Sequence, residues 1–185
     1  MKDGVEAGVT DYGQILSVIG WSGSGKTSLL EYLVRELTAA GYKINIVKHS
    51  HHDVTIEPPQ KDSARLRLAG AQDVLLASPY RYVIAHELRQ KAEPSLAELL
   101  TRLSPADLTL VEGYKWEAIT KIEVFRPSLG KPAIYTDDTH VVVVVSDSPA
   151  PANLRAGLQW LNINQPKLLL EWIVIAMQNK KFKNI

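Results

Sequence analysis

Residues 15–33 read ILSVIGWSGSGKTSLLEYL. Ile15 to Ile19 is short, apolar and closed by glycine, the pattern of a buried strand. Beyond the Gly- and Ser-rich middle, Leu29, Leu30, Leu33, Val34 and Leu37 recur at helical spacing and form one stripe. Gly41 stands where a left-handed cap ends such a helix. Tyr42 to Val47 reads as a second strand, β-branched at Ile44, Ile46 and Val47. Strand, helix, strand in about 33 residues is a βαβ unit with a right-handed crossover.

The loop inside this unit, Gly20-Trp21-Ser22-Gly23-Ser24-Gly25-Lys26-Thr27, fits G-x-x-x-x-G-K-[ST]. Glycines let several backbone N–H groups turn into one concavity, and the helix that follows adds the positive end of its dipole. Lys26 can reach β- and γ-phosphates as a mobile point charge. The Thr27 hydroxyl can ligate Mg²⁺, and Ser28 can contact an α-phosphate. The pattern predicts a nucleotide phosphate site. It does not choose ATP over GTP, nor hydrolysis over transfer.

Downstream, His49 to Lys61 is a polar loop with Pro58-Pro59, and Asp62 is placed to cap a short helix ending at Gly70. Val74 to Ala77 and Tyr82 to Ala85 read as a hairpin-like antiparallel excursion. Pro94 opens a helix with Leu96, Leu99, Leu100 and Leu103 facing inward. Leu108 to Val111, Ile122 to Phe125 and Val141 to Val145 are further strands, the last apolar on both faces as in a central parallel position. A final helix starts near Pro166. Strands alternating with helices predict an α/β domain of three layers, with a mostly parallel sheet and one short antiparallel excursion. Residues 15–178 are read as a single domain, 1–14 as a loose leader and 179–185 as a basic tail.

The chain has 185 residues, 45% apolar and 22% charged, the profile of an ordinary globular domain. A net charge of +1 supplies no global field to recruit nucleic acid or a membrane surface. The apolar runs at Val141 to Val145 and Trp172 to Met177 are far short of the roughly 20 residues a spanning helix needs. The absence of cysteine excludes disulfides and thiolate metal sites and fits a reducing cytoplasm.

A P-loop site needs a carboxylate near its magnesium. Asp107-Leu-Thr-Leu-Val-Glu112-Gly113 offers two, about 16 Å apart across five strand residues. Ligands of open α/β sheets bind at the carboxyl ends of strands, which selects Glu112. Lys26 and Glu112 are therefore the candidate catalytic pair. Lys48-His49-Ser50-His51-His52-Asp53 follows the second strand, also at a carboxyl end. Three His and one Asp could suggest a metal, but zinc needs three or four placed ligands and no second cluster exists. The better reading is a nucleotide-adjacent loop: Lys48 and His49 toward the phosphates, and Asp53 toward Mg²⁺ through water, beside Thr27 and Glu112. Thr120-Lys121-Ile122-Glu123 imitates a guanine-reading motif, but it runs into a strand instead of out of one. Asp147, which leaves the Val141 to Val145 strand, can accept from guanine N1 and N2.

The G-W-S-G-S-G-K-T loop, K-H-S-H-H-D, K-D-S-A-R-L-R-L-A-G-A, and V-E-G-Y-K followed by K-I-E-V-F-R occur in this order from about Ile15 to Ser146. Together they resemble the MobB family, molybdopterin-guanine dinucleotide biosynthesis protein B. The resemblance implies a P-loop NTPase fold, GTP as the nucleotide with Mg²⁺, weak GTPase activity at most, and a homodimer in the cytoplasm. It also implies an adapter that assists the molybdopterin guanylyltransferase enzyme. By match to the family pattern, Gly20 to Thr27 would hold phosphates, and Lys48, His49, His52 and Asp53 would line the cleft. Asp62, Glu112, Gly113 and Lys115 would surround metal and nucleotide. Lys121 and Arg126 would lie near a dimer groove or a pterin-phosphate surface. The alternative is a small-molecule kinase, with Arg65 and Arg67 imitating the paired arginines of a lid. Residues two apart on a helix point in different directions, which weakens that clamp.

Overall fold

The computed structural model describes residues 12–50 and 52–182. They form two compact units, one of residues 12–49 and 96–182, the other spanning residues 50–95. The single domain expected over 15–178 is thus carried by two bodies. The residues read as a leader lie mostly outside the described residues, as do His51 and the last three of the tail.

The larger unit is built on six strands: β1 (Gln14–Ile19), β2 (Ile44–Lys48), β5 (Leu108–Glu112), β6 (Lys121–Phe125), β7 (Val141–Ser146) and β8 (Gln159–Asn162). Their order across the sheet is β2-β5-β1-β6-β7-β8, and every neighbouring pair is parallel. One face is covered by α1 (Lys26–Ala39) and α4 (Pro166–Gln178), the other by the short α3 (Leu96–Leu100) and loops. This is the expected three-layer α/β arrangement with a parallel sheet.

The helical stripe read from the sequence is the packed face. Leu29, Leu30, Leu33 and Leu37 are buried against Leu16, Val18, Leu110 and Val124 of the sheet and against Leu169 and Ile173 of α4. At the far end of α1, Gly41 N–H donates to the Thr38 carbonyl and Tyr42 N–H to the Leu37 carbonyl, the paired bonds of a Schellman cap. β7 carries a bulge: Lys121 pairs Val141, but Ile122 pairs Val143. Val142 and Val143 therefore both face the α1–α4 side, while Val141 and Val144 face the opposite one. A run of five valines reads as strictly alternating; only the pairing partner reveals the extra residue. β8 was not anticipated. Gln-Trp-Leu-Asn is short, sits at the sheet edge and is only half buried, so its sequence carries no period to read.

β5 and β6 flank β1 yet are joined by only residues 113–120. The register explains this. Lys121 sits opposite Ser17, while Glu112 sits opposite Val18, so β6 begins almost level with the end of β5. The connection steps across β1 without returning a full strand length, and its Ile119 packs with Ile15, Val111, Leu96 and Leu100.

The second unit holds α2 (Asp62–Leu68) and an antiparallel hairpin of β3 (Asp73–Ala77) and β4 (Tyr82–His86), the expected excursion. The Ser78 hydroxyl accepts the N–H groups of Tyr80 and Arg81 and closes the turn. Asp62 is the first residue of α2, not its cap; Lys61 occupies the cap position with no side-chain bond. The Asp62 carboxylate lies 3.6 Å from Arg65 instead.

β6 is where this parallel sheet departs from an apolar strand. Ile122 and Val124 enter the α1–α4 core, whereas Lys121 and Glu123 point to the other face and are buried. The Lys121 ammonium donates to the Lys115 carbonyl and to Asp138, each at 2.6 Å. The resemblance placed Lys121 at a dimer groove or pterin surface; at 2% exposure it is an internal brace. Burial pushes the Asp138 carboxyl up, but the bonds from Lys121 and the His140 N–H more than offset this, and it stays below its usual value. The Glu123 carboxylate accepts the N–H groups of Ile134 and Tyr135 at 2.7–3.1 Å, tying the 131–138 loop to the sheet. Burial holds Glu123 above its ordinary value, against the pull of those two N–H bonds.

Two outcomes are expected. Lys121→Ala leaves Asp138 and a carbonyl without their partner and should cost about 3 kcal/mol, read from the urea midpoint. An unchanged midpoint would mean that the brace is not structural. Because the folded Glu123 binds its proton more tightly than the unfolded chain, its contribution to stability declines as pH rises from 4.5 through the folded value. Between that pH and neutrality the parent should lose stability relative to Glu123→Gln; parallel pH–stability curves would contradict the shift.

Candidate functional site

The phosphate loop leaves β1 at Ile19 and enters α1 at Lys26. Gly20 has φ +142°, and a Cβ there would stand 2.4 Å from the Val124 carbonyl oxygen and 2.9 Å from Ser24 Oγ. No larger residue fits, because the loop passes directly beneath the end of β6. Gly23 and Gly25 are also left-handed, at φ +81° and +99°, and Gly25 occupies the cap of α1. The Ser24 N–H donates to the Trp21 carbonyl at 3.2 Å and the Leu29 N–H to the Gly25 carbonyl at 3.1 Å. Alternating glycines of this hand curl a backbone into an anion-binding concavity at a helix N-terminus.

Lys26 folds back over the loop and donates to the Trp21 carbonyl at 3.0 Å. Burial holds its ammonium below the ordinary lysine value; Glu112 pulls the other way, and Lys115 and Lys48 add to the lowering. These are the charges that converge here. Glu112 ends β5 opposite Lys48, which ends β2, and the Lys48 ammonium bridges both carboxylate oxygens at 3.1 and 3.2 Å. Lys115 Nζ lies 4.0 Å from the centre of the Trp21 ring, within cation–π range, and the Trp21 indole N–H donates to the Pro132 carbonyl at 2.8 Å. Lys26, Lys48 and Lys115 thus lie at or beside the loop, with Glu112 bridged by Lys48.

His49 follows β2 directly, and its N–H donates to the Glu112 carbonyl at 3.0 Å. Its ring packs against Tyr114 at 5.0 Å. A Cβ on Gly113 would sit 3.1 Å from the His49 Cβ, and Gly113 has φ +100°, so the chain turns at Gly113 where His49 leaves no room for a side chain. Thr27 and Ser28 are exposed on the first turn of α1, and Ser22 is exposed in the loop. Ser24 Oγ is buried with no hydrogen-bond partner.

The structure therefore brings together Gly20 to Ser28, Lys48, His49 and Glu112. Asp53, His52 and Asp62 belong to the second unit, where all three are exposed. Among the described residues, no three His, Asp or Glu side chains converge to hold a metal by themselves. Thr27 and Glu112 have the oxygen donors a magnesium ion takes alongside phosphate oxygens. Asp147 lies one residue beyond β7, where its carboxylate accepts from Arg126 at 2.6 Å. Arg126 also donates from Nε to the Ser24 carbonyl at 2.9 Å.

Sequence reasoning gave Arg126 no role at the loop and found Lys115 only through resemblance. The signal for Arg126 was its place as the first residue after a strand, at the carboxyl end of a parallel sheet, where such a side chain faces the ligand side.

In the second unit, Arg67 is taken by Glu87 at 2.7 Å and Glu57 at 3.3 Å and is 19% exposed. Arg65 is 72% exposed and lies near Asp62. The two side chains point apart, as their spacing implied.

Comparison with known proteins agrees with this geometry. A family model described as Molybdopterin guanine dinucleotide synthesis protein B matches residues 15–147. The Molybdopterin-guanine dinucleotide biosynthesis adapter protein of Escherichia coli K12 is 40% identical over 90% of this chain and 94% of its own length. Its Haemophilus influenzae namesake is 39% identical over 86% of both chains. A crystal structure of molybdopterin-guanine biosynthesis protein B superposes with a TM-score of 0.70 at 26% identity, covering 89% of this chain and 99% of the other. The MobB protein homolog from Bacillus stearothermophilus shares the fold at a TM-score of 0.65 and 22% identity, with 89% and 98% covered. The six-stranded parallel sheet with its small antiparallel partner is the P-loop NTPase fold of these proteins, and the chain belongs to the molybdopterin guanine dinucleotide synthesis protein B family.

Proposed function

We propose that this protein is a GTP-binding adapter in molybdopterin guanine dinucleotide biosynthesis, with slow GTP hydrolysis at most. The observation that carries the reading is the left-handed loop over Gly20, Gly23 and Gly25, with Lys26 folded onto it and held by a backbone carbonyl alone. A lysine bonded to its own loop is ready to exchange that carbonyl for phosphate oxygens. The relatives named as adapter proteins, at 39 and 40% identity, support the pathway.

In this reading Gly20 to Ser28 hold the phosphates, and Lys26, Lys48 and Lys115 offset their charge. Thr27 would hold Mg²⁺, with Glu112 reaching it directly or through water. Such an ion would supply positive charge beside the phosphates. Turnover below the enzyme median of about 10 per second is expected of such an adapter. Leu75, Tyr82 and Ile84 of the hairpin are 56–67% exposed, and an apolar hairpin of that kind supports pairing with a second copy of the chain. The adapter would bring its nucleotide to the molybdopterin guanylyltransferase enzyme. The cysteine-free sequence fits the cytoplasm, and among the described residues no helix is long and apolar enough to cross a membrane.

The kinase reading is disfavoured by one observation. A lid needs free arginines, and Arg67 is already shared by two glutamates.

Calorimetry with non-hydrolysable GTP and ATP analogues, each with and without Mg²⁺, tests the proposal. Tight, magnesium-dependent preference for the guanine analogue is expected, weakened at least about 30-fold, roughly 2 kcal/mol, in Lys26→Ala. Preference for the adenine analogue would overturn the guanine reading. Equal binding by Lys26→Ala would remove the loop as the site.

A further inference from the structure

The pairing of β6 with β7 ends at Phe125 opposite Ser146, so the next residues, Arg126 and Asp147, stand side by side beyond the sheet. Arg126 uses two edges of its guanidinium. Nη1 donates to the Asp147 carboxylate at 2.6 Å, and Nε donates to the Ser24 carbonyl at 2.9 Å. Nη2 lies 3.7 Å from where a Cβ on Gly25 would be. Both side chains are about a third exposed, at 33 and 30%, so the pair is neither a deep core bridge nor a loose surface contact. Its consequence lies in the peptide it touches.

A trans peptide points its C=O and its N–H in opposite directions. Fixing the Ser24 carbonyl on Arg126 therefore directs the Gly25 N–H away from Arg126. Gly23 and Gly25 are both left-handed, and the bond from Arg126 to the Ser24 carbonyl fixes which way the peptide between Ser24 and Gly25 faces. A guanidinium suits the task because its donors form a rigid planar fork that can hold two acceptors at a set angle, which a single ammonium cannot. Asp147 fixes the fork.

We propose that Arg126, set by Asp147, is a positioning residue of the phosphate loop: it orients the Ser24–Gly25 peptide so that the Gly25 N–H serves as a phosphate donor. The Asp147 carboxylate, expected from sequence to read guanine, engages this arginine through Oδ2. Its removal then weakens phosphate binding whatever base is attached. The proposal rests on the nucleotide reading above.

The test uses Arg126→Gln, Asp147→Asn, Arg126→Lys and the double variant Arg126→Gln/Asp147→Asn, in the full chain. One readout is the ¹⁵N–¹H resonance of Gly25, whose own peptide carries the bonded carbonyl. The other is calorimetric affinity for GTP and XTP analogues. Xanthine presents a carbonyl where guanine presents an amino group, so an asparagine that reads the base would favour XTP. Each single variant should move the Gly25 resonance and weaken both nucleotides about tenfold, with the GTP-to-XTP ratio unchanged. The double variant should be no weaker than Arg126→Gln, since both changes break one unit. Arg126→Lys should not restore binding.

A swing of Asp147→Asn toward XTP, with Arg126→Gln binding as the parent does, would overturn the proposal and return Asp147 to the base. An unmoved Gly25 resonance would also overturn it. A parent that binds neither nucleotide defeats the nucleotide reading itself, and the phosphate role with it. A parent that binds while every variant binds equally defeats only the positioning role. If Arg126→Gln fails to fold, Asp147→Asn, nearly isosteric, carries the test.

Discussion

The loop between β1 and α1 depends on a glycine lying against a carbonyl. Gly20 turns under the end of β6 so tightly that a Cβ would overlap the Val124 oxygen. This is possible because β1 lies between β5 and β6, with parallel neighbours on both sides. The chain leaving β1 must pass beneath one of them to begin α1. From that passage follow the left-handed turns of the loop, the start of α1 at Lys26 and the approach of Arg126 to the Ser24 carbonyl. A side chain at position 20 would push the loop off β6 and dissolve the arrangement from its root.

Charge is organised around that loop in two tiers. Close to it, Glu112 is bridged by Lys48, Lys26 folds onto the Trp21 carbonyl and Lys115 lies over the Trp21 ring, so the lysines are held apart. A site with an excess of cations in partly buried surroundings attracts a polyanion more strongly than the same charges would in water. The second tier is buried and structural. Lys121 and Glu123, on the inward face of β6, hold the Lys115 carbonyl and the 131–138 loop, and that loop in turn receives the Trp21 indole N–H through Pro132. Charges within a parallel sheet therefore shape the loop from behind. Their motif-like order, Thr-Lys-Ile-Glu, resembles a base-reading signature only on paper.

Much of the fold was legible in the chain. The βαβ opening, the apolar stripe of α1 and the hairpin carry local signals that match their structure, and the valine run marks a strand flanked on both sides. What escaped lacked such a signal. β8 is a half-buried edge of four residues, and the bulge in β7 is silent within five identical side chains. At the candidate site, the glycine-rich turn and the position of Glu112 at a strand end were readable because both are local features of the chain. Lys121 and Arg126 were not, because lysine and arginine serve buried braces, surface pairs and ligands alike, and only their neighbours tell which.

The sequence by itself determined the glycine-rich turn between β1 and α1, the layered α/β class and the place of Glu112, not Asp107, at the carboxyl end of β5. Each depends on spacing along one strand or one turn, and spacing is local. Only the tertiary structure decided the strand order that brings β6 against the loop, the burial of Lys121, and the pairing of Arg126 with Asp147. Those residues are separated by 17 or more positions in the chain and meet because parallel registers align strand ends. Register is a property of two strands at once, so no single stretch of sequence contains it.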